Sequence, residues 1–127
     1  MSKTVVYAAG APEPIGPYSQ AVQAGNLLFL SGQIALQKAT GQLLTGNITE
    51  ETNQVMKNLE EILKVAGLNF SNVVKSTIFL KDIGSFPLVN EAYGKHFTVR
   101  PPARETVEVS RLPKDANVEI SCIAIAD

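Results

Sequence analysis

Between residues 49 and 66 the apolar side chains Val55, Met56, Leu59, Ile62, Leu63 and Ala66 recur at the i, i+3/i+4, i+7 spacing of one helix face. Thr49 can cap this helix, and Glu50 and Glu51 fall in its first turn, where the backbone dipole favours carboxylates. Gly67 stops it, with Leu68 able to pack back on the last turn. A second stripe, Phe86, Val89, Tyr93 and Phe97, predicts a helix capped by Ser85 with Pro87 in its first turn. Elsewhere the period shortens to two. A β-prone run over 4–7 leads into the loop 8–17, where Pro12, Pro14 and Pro17 exclude helix. Residues 19–24 alternate, Gly25-Asn26 supplies a two-residue turn, and the apolar run 27–30 completes a hairpin that Ser31-Gly32 ends or kinks. Residues 73–81, 104–110 and 118–126 read as three more strands. The order ββ(β)–α–β–α–β–β predicts one sheet with both helices on one face, a single α+β domain over residues 1–127.

Composition narrows the chemistry. With 45% hydrophobic and 18% charged residues, the 127-residue chain has the makeup of one folded domain. Eleven Lys and Arg against 12 Asp and Glu leave a formal charge of −1, which excludes a generally basic, nucleic-acid-coating protein. One cysteine, Cys122, and one histidine, His96, build neither an internal disulfide nor a structural zinc site. No apolar run approaches the ~20 residues of a membrane helix, and no basic, apolar leader is read. The expectation is a soluble protein of a reducing, cytoplasmic compartment, in which the sequons at Asn47 and Asn69 occur by chance.

Strand parity then sorts the polar residues. Arg104, Thr106, Glu108 and Ser110 share one face of their strand, and Glu105, Val107 and Val109 take the other. In the last strand Val118, Ile120, Cys122 and Ala124 make a small apolar face suited to lie under the helices, which turns Glu119, Ser121, Ile123 and Ile125 the opposite way. Ile123 and Ile125 are too apolar for a wholly solvated surface, so that second face is expected to meet a partner subunit. Arg104 and Glu119 are both expected near it. They read either as a salt bridge or as an anion-binding arginine with a carboxylate for acid–base work. Tyr18 follows Gly16-Pro17 on a stiff loop, Cys122 reads as an inert buried thiol, and His96 as a packed or surface ring. No phosphate-binding glycine loop, metal triad or nucleophile–base set is present.

Several phrases line up in order: Ile15-Gly16-Pro17-Tyr18-Ser19-Gln20-Ala21, Ser31-Gly32-Gln33, Val89-Asn90-Glu91-x-Tyr93 and Pro102-Ala103-Arg104. Val107-Glu108-Val109-x-Arg111-Leu112-Pro113-Lys114-Asp115 and Val118-Glu119-Ile120 follow. Together they closely resemble the RidA/YjgF family of reactive-intermediate deaminases, also called endoribonuclease L-PSP, over about residues 4–126. The resemblance implies a chorismate-mutase-like fold with a six-stranded mixed sheet, and a homotrimer whose sheets form a central barrel, with clefts between subunits. It implies hydrolysis of 2-iminobutanoate and 2-iminopropanoate, released by pyridoxal-phosphate enzymes, to 2-keto acids and ammonia, without metal or organic cofactor. By the same resemblance the catalytic residues would be Arg104, holding the substrate carboxylate, Glu119, orienting the attacking water and managing its proton, and Tyr18, lining the pocket and touching the ligand or water. Ser31 and Gly32 would bound the other side, with Thr106 and Asn90 completing substrate binding. This chain departs from the pattern at Glu105-Thr106, where the family commonly has a small residue and then Cys. Thr106 is expected to line the cleft and Glu105 to point away from it. Two rival readings are a small-carboxylate-binding regulatory module without turnover and an RNA-cleaving enzyme, the latter disfavoured by the net charge.

Overall fold

The longer apolar stripe folds as α1, Ile48–Val65, in a computed structural model that describes residues 2–127. Val55, Met56, Leu59, Ile62 and Leu63 are wholly buried. The cap differs from the expected one. Asn47, not Thr49, stands before the helix in extended backbone, and its side chain accepts the Glu50 N–H at 3.0 Å. The far end follows the sequence: Gly67 takes φ 77°, its N–H reaches the Lys64 carbonyl at 3.0 Å, and the Leu68 N–H reaches that of Leu63 at 2.9 Å. Glu51 does more than face the helix dipole. It is buried and accepts the Asn117 N–H and Nδ2, each at 2.8 Å, which ties down the loop before the last strand.

Six strands form one mixed sheet: β1 Thr4–Val6, β2 Ala21–Ala24, β3 Leu27–Gln33, β4 Val73–Leu80, β5 Ala103–Glu108 and β6 Val118–Ile125. Their order is β1-β2-β3-β6-β4-β5, antiparallel throughout except for the parallel β4–β5 pair. β6 is the last strand in the chain, yet it lies between β3 and β4. Crossovers through α1 and through α2, Phe86–Gly94, link β3 to β4 and β4 to β5. One buried cluster joins Leu59 and Ile62 of α1 and Val89 and Tyr93 of α2 to Leu28, Ile78, Ile120 and Ala124 of the sheet, so both helices cover the same face. The predicted element order and the mixed sheet are therefore present.

Local details correct the second helix. It ends at Gly94, so His96 and Phe97 lie beyond it, both rings against Phe70 at centroid distances of 4.7 and 5.4 Å. Ser85 precedes the helix but makes no capping hydrogen bond; Asp82 accepts the Gly84 N–H at 2.8 Å in the preceding turn. In the hairpin, Ala24 pairs with Leu27 across Gly25-Asn26, and Gly25 takes φ 62°. Ser31-Gly32 does not end β3. Leu30 pairs with Cys122 and Gln33 with Ile120, so β3 carries one extra residue there, a bulge.

The cap assignment separates two neighbouring residues. Asn47→Ala is expected to destabilise the fold by about 1 kcal/mol, whereas Thr49→Ala, inside the first turn, is expected to be near neutral. Urea unfolding at a fixed protein concentration reads the difference.

Candidate functional site

Register decides which side chains can meet. Ser76 of β4 pairs with both Arg104 and Cys122, and Ile78 pairs with Thr106 and Ile120. Arg104 and Thr106 therefore lie on the helix-covered face. Phe79 pairs with Val107 and Glu119, which puts Glu119 on the bare face with half-buried Ser121, Ile123 and Ile125. The expectation that Arg104 and Glu119 share the second face is thus overturned. Alternation along paired strands holds them on opposite faces of the sheet.

On the helix side, Arg104 rests against α2. Its guanidinium carbon lies 5.1 Å from the Tyr93 ring centroid and 5.6 Å from that of Phe86, and Nη1 donates to Asn90 Oδ1 at 2.8 Å. Among the described residues no carboxylate pairs with it. An open groove of about 600 Å³, lined by Ile83, Gly84, Phe86, Pro87, Arg104 and Thr106, runs beside the guanidinium. Thr106 shares the Arg104 face as expected, and its Oγ1 is enclosed without a hydrogen-bond partner. Glu105 points the other way. It accepts Thr77 Oγ1 at 2.7 Å and meets Lys75 Nζ at 3.2 Å, and these two hold its carboxyl below the ordinary range.

On the bare side, Glu119 closes a cavity of about 40 Å³, whose walls include Tyr18, Gln20, Gly32, Gln33 and Pro113. Burial with no compensating cation raises the Glu119 carboxyl above the ordinary carboxylate range. Gly32 makes this placement possible: a Cβ there would stand 2.5 Å from Glu119 Oε2 and 2.9 Å from its carboxyl carbon. Space is the requirement, since Gly32 has no left-handed φ. Tyr18 lines the same cavity, its hydroxyl accepting the Ile15 N–H at 3.2 Å. Ser31 donates its hydroxyl to the Ser19 carbonyl at 2.6 Å and its N–H to the Gln20 carbonyl at 2.9 Å, so it fastens the bulge without lining the cavity.

The structure thus gathers the sequence-derived candidates into two groups: Arg104, Thr106 and Asn90 on one face, Glu119, Tyr18 and Gly32 on the other. Sequence reading missed three contributors. Gln20 and Gln33 are buried polar residues of the cavity wall. The apolar stripe assigns Tyr93 to the core alone, although Phe86, Asn90 and Tyr93 at i, i+4 and i+7 mark a shared helix face. Cys122 is buried, and desolvation pushes its thiol up to about 11, as an inert core thiol requires. Among the described residues no three His, Cys, Asp or Glu side chains converge.

A family model for endoribonuclease L-PSP matches residues 8–126. The chain is 48% identical to a RutC family protein of Pyrococcus horikoshii, over 96% of this chain and 97% of that relative. It is 46% identical to the 2-iminobutanoate/2-iminopropanoate deaminase of Homo sapiens, over 97% of this chain and 90% of that relative. Among solved structures, the YjgF gene product of Escherichia coli superposes with a TM-score of 0.92 at 38% identity, covering 98% of this chain and 99% of that one. TdcF of Escherichia coli with bound serine gives a TM-score of 0.93 at 34% identity, with the same coverage.

Gly32→Ala tests the packing around the carboxyl. In the wild type, NMR titration of the Glu119 side chain is expected to give a pKa above that of an ordinary glutamate. In Gly32→Ala the displaced carboxyl is expected to titrate closer to the ordinary value.

Proposed function

The chain belongs to the RidA/YjgF family, and on that premise we propose that it hydrolyses small 2-imino acids, such as 2-iminobutanoate and 2-iminopropanoate, to 2-keto acids and ammonia. The reaction runs in clefts between the subunits of a homotrimer in a reducing, cytoplasmic setting. The observation that carries this reading is the division of the site. An arginine free of carboxylates lies on one face of the sheet and a half-buried, uncompensated glutamate on the other. One chain cannot bring them to one substrate; two copies can. A bare face with Phe29 and Val107 exposed and Ile123 and Ile125 half-buried supports a neighbour there.

Each half has its own task. Arg104 grips the planar carboxylate through the donors that Asn90 leaves free, and Thr106 bounds the groove beside it. Glu119 faces a cavity of about 40 Å³, large enough for water. The water oxygen bonds to the electrophilic imine carbon while Glu119 accepts its proton. The carboxylic acid passes that proton to the nitrogen, giving the carbinolamine. Glu119 then carries the carbinol O–H proton to the same nitrogen as the C–N bond breaks, so ammonia leaves and the carbinol oxygen becomes the keto group. Tyr18 and Gly32 shape the water side. Positioning a held water against a carbon that is already electrophilic supplies most of the acceleration, so no covalent enzyme intermediate is needed.

A coupled assay tests the reaction: a dehydratase generates 2-iminobutanoate from threonine, and the appearance of 2-oxobutanoate is followed. Wild type is expected to accelerate it, and Arg104→Ala and Glu119→Gln each to abolish the acceleration. Co-assembled from equal amounts of the two variants, the protein is expected to recover about a quarter of wild-type activity, because intact clefts then form only across mixed neighbours. No recovery would sink the shared cleft. The serine held by TdcF favours one competing reading, a small-carboxylate binder without turnover. Binding of 2-oxobutanoate with a flat assay would select it. Glu119 acts ionised, and burial raises its pKa, so the enzyme-dependent rate is expected to fall with acid at a pH above the ordinary glutamate range. A pH–rate profile with the uncatalysed rate subtracted checks this.

A further inference from the structure

Arg104 sits on a seat built by one helix. Phe86, Asn90 and Tyr93 recur at i, i+4 and i+7 along α2, so all three lie on one side of it. The two rings stand 5.6 and 5.1 Å from the guanidinium carbon, within cation–π range, and Asn90 Oδ1 takes one Nη1 hydrogen at 2.8 Å. Tyr93 is only 4% exposed, and its ring is fixed from the sheet side. Its hydroxyl donates to Ser76 Oγ at 2.9 Å, and Ser76 in turn lies 3.6 Å from Cys122 Sγ. Ser76 is also the register partner of Arg104 across β4–β5. The strand that launches the arginine and the hydroxyl that locks the ring are therefore held by the same residue.

We propose that Tyr93 is a positioning residue: together with Phe86 it forms an aromatic seat that presets the Arg104 guanidinium for a planar carboxylate, while Asn90 fixes its rotation. The proposal rests on the reading of Arg104 as the carboxylate anchor. An arginine free in solvent samples many rotamers and must be ordered when ligand binds, which weakens affinity. The seat removes that ordering step beforehand. It also supplies attraction to the cation without a carboxylate, which would occupy the donors that the substrate needs.

The test has a ligand-free arm and a binding arm. The Nε–H of Arg104, assigned by its loss in Arg104→Lys, is expected to be shifted upfield by the rings in wild type and in Tyr93→Phe. In Tyr93→Leu it is expected to move most of the way toward the position of an exposed arginine, Phe86 supplying what shift remains. Binding of 2-oxobutanoate is expected to weaken about 2- to 30-fold in Tyr93→Leu and to change little in Tyr93→Phe. KM for the imine is expected to rise in Tyr93→Leu with kcat nearly unchanged. An unmoved Arg104 signal in folded Tyr93→Leu overturns the seat. Equal losses in the Phe and Leu variants also overturn it, because they assign the effect to the hydroxyl. Should Tyr93→Leu not fold, Phe86→Leu is expected to move the same signal to a smaller extent, and no movement overturns the proposal. Wild type that shows the shifted signal but does not bind 2-oxobutanoate supports the seat and sinks the carboxylate reading alone.

Discussion

The pairing of β6 between β3 and β4 governs where the side chains of the neighbouring strands can point. Val118, Ile120, Cys122 and Ala124 point under the helices and are buried, so Glu119 between the first two must point the other way. β4 passes the same alternation on to β5, which places Arg104 level with buried Ser76 and Glu105 level with half-buried Thr77. A one-residue slip would exchange the two faces, putting Glu119 into the core and Cys122 outside it. The apolar face prevents this. Burying these four apolar side chains against the helices outweighs any register that would bury a carboxylate without a partner.

The cavity beside Glu119 is framed by loops, and each loop is fastened by a buried polar side chain. Gln20 accepts the Ala8 N–H at 2.6 Å and donates to the Pro12 carbonyl at 2.8 Å, which fixes the proline loop. Asn58 of α1 donates to the Ile34 and Leu36 carbonyls at 3.1 and 2.9 Å and fixes the segment after β3. Glu51, one turn from the start of α1, holds Asn117 and thereby the segment that carries Pro113. Buried backbone groups of loops need partners, and here single side chains supply them, two from α1 and one from the residue just before β2. The walls around Glu119 are thereby tied to α1 and to the start of β2.

Much of this was legible in the chain. The 3.6-residue stripe located α1 to within a residue at each end, and Gly67 with Leu68 gave its stop, because both signals are local. Alternation assigned the strands and the separation of Glu105 from Arg104. The caps were read less well: Asn47 and Thr49 are both competent residues, and only the backbone at the first turn selects between them. The three fastening residues gave no signal. Gln20, Asn58 and Glu51 look like ordinary surface residues until their distant carbonyl and amide partners are brought to them.

Local sequence is enough for the elements, the apolar side of each, and the identity of the polar residues available for chemistry, because periodicity and turn preferences act over a few neighbours. How those residues are grouped depends on the assembled sheet. Parity along one strand is local, but comparing the parity of β5 with that of β6 requires β4, which pairs with both and carries the register from one to the other. That is why Arg104 and Glu119, expected together, lie on opposite faces, and why Tyr93, an aromatic of the core stripe by its spacing, lies beneath a guanidinium.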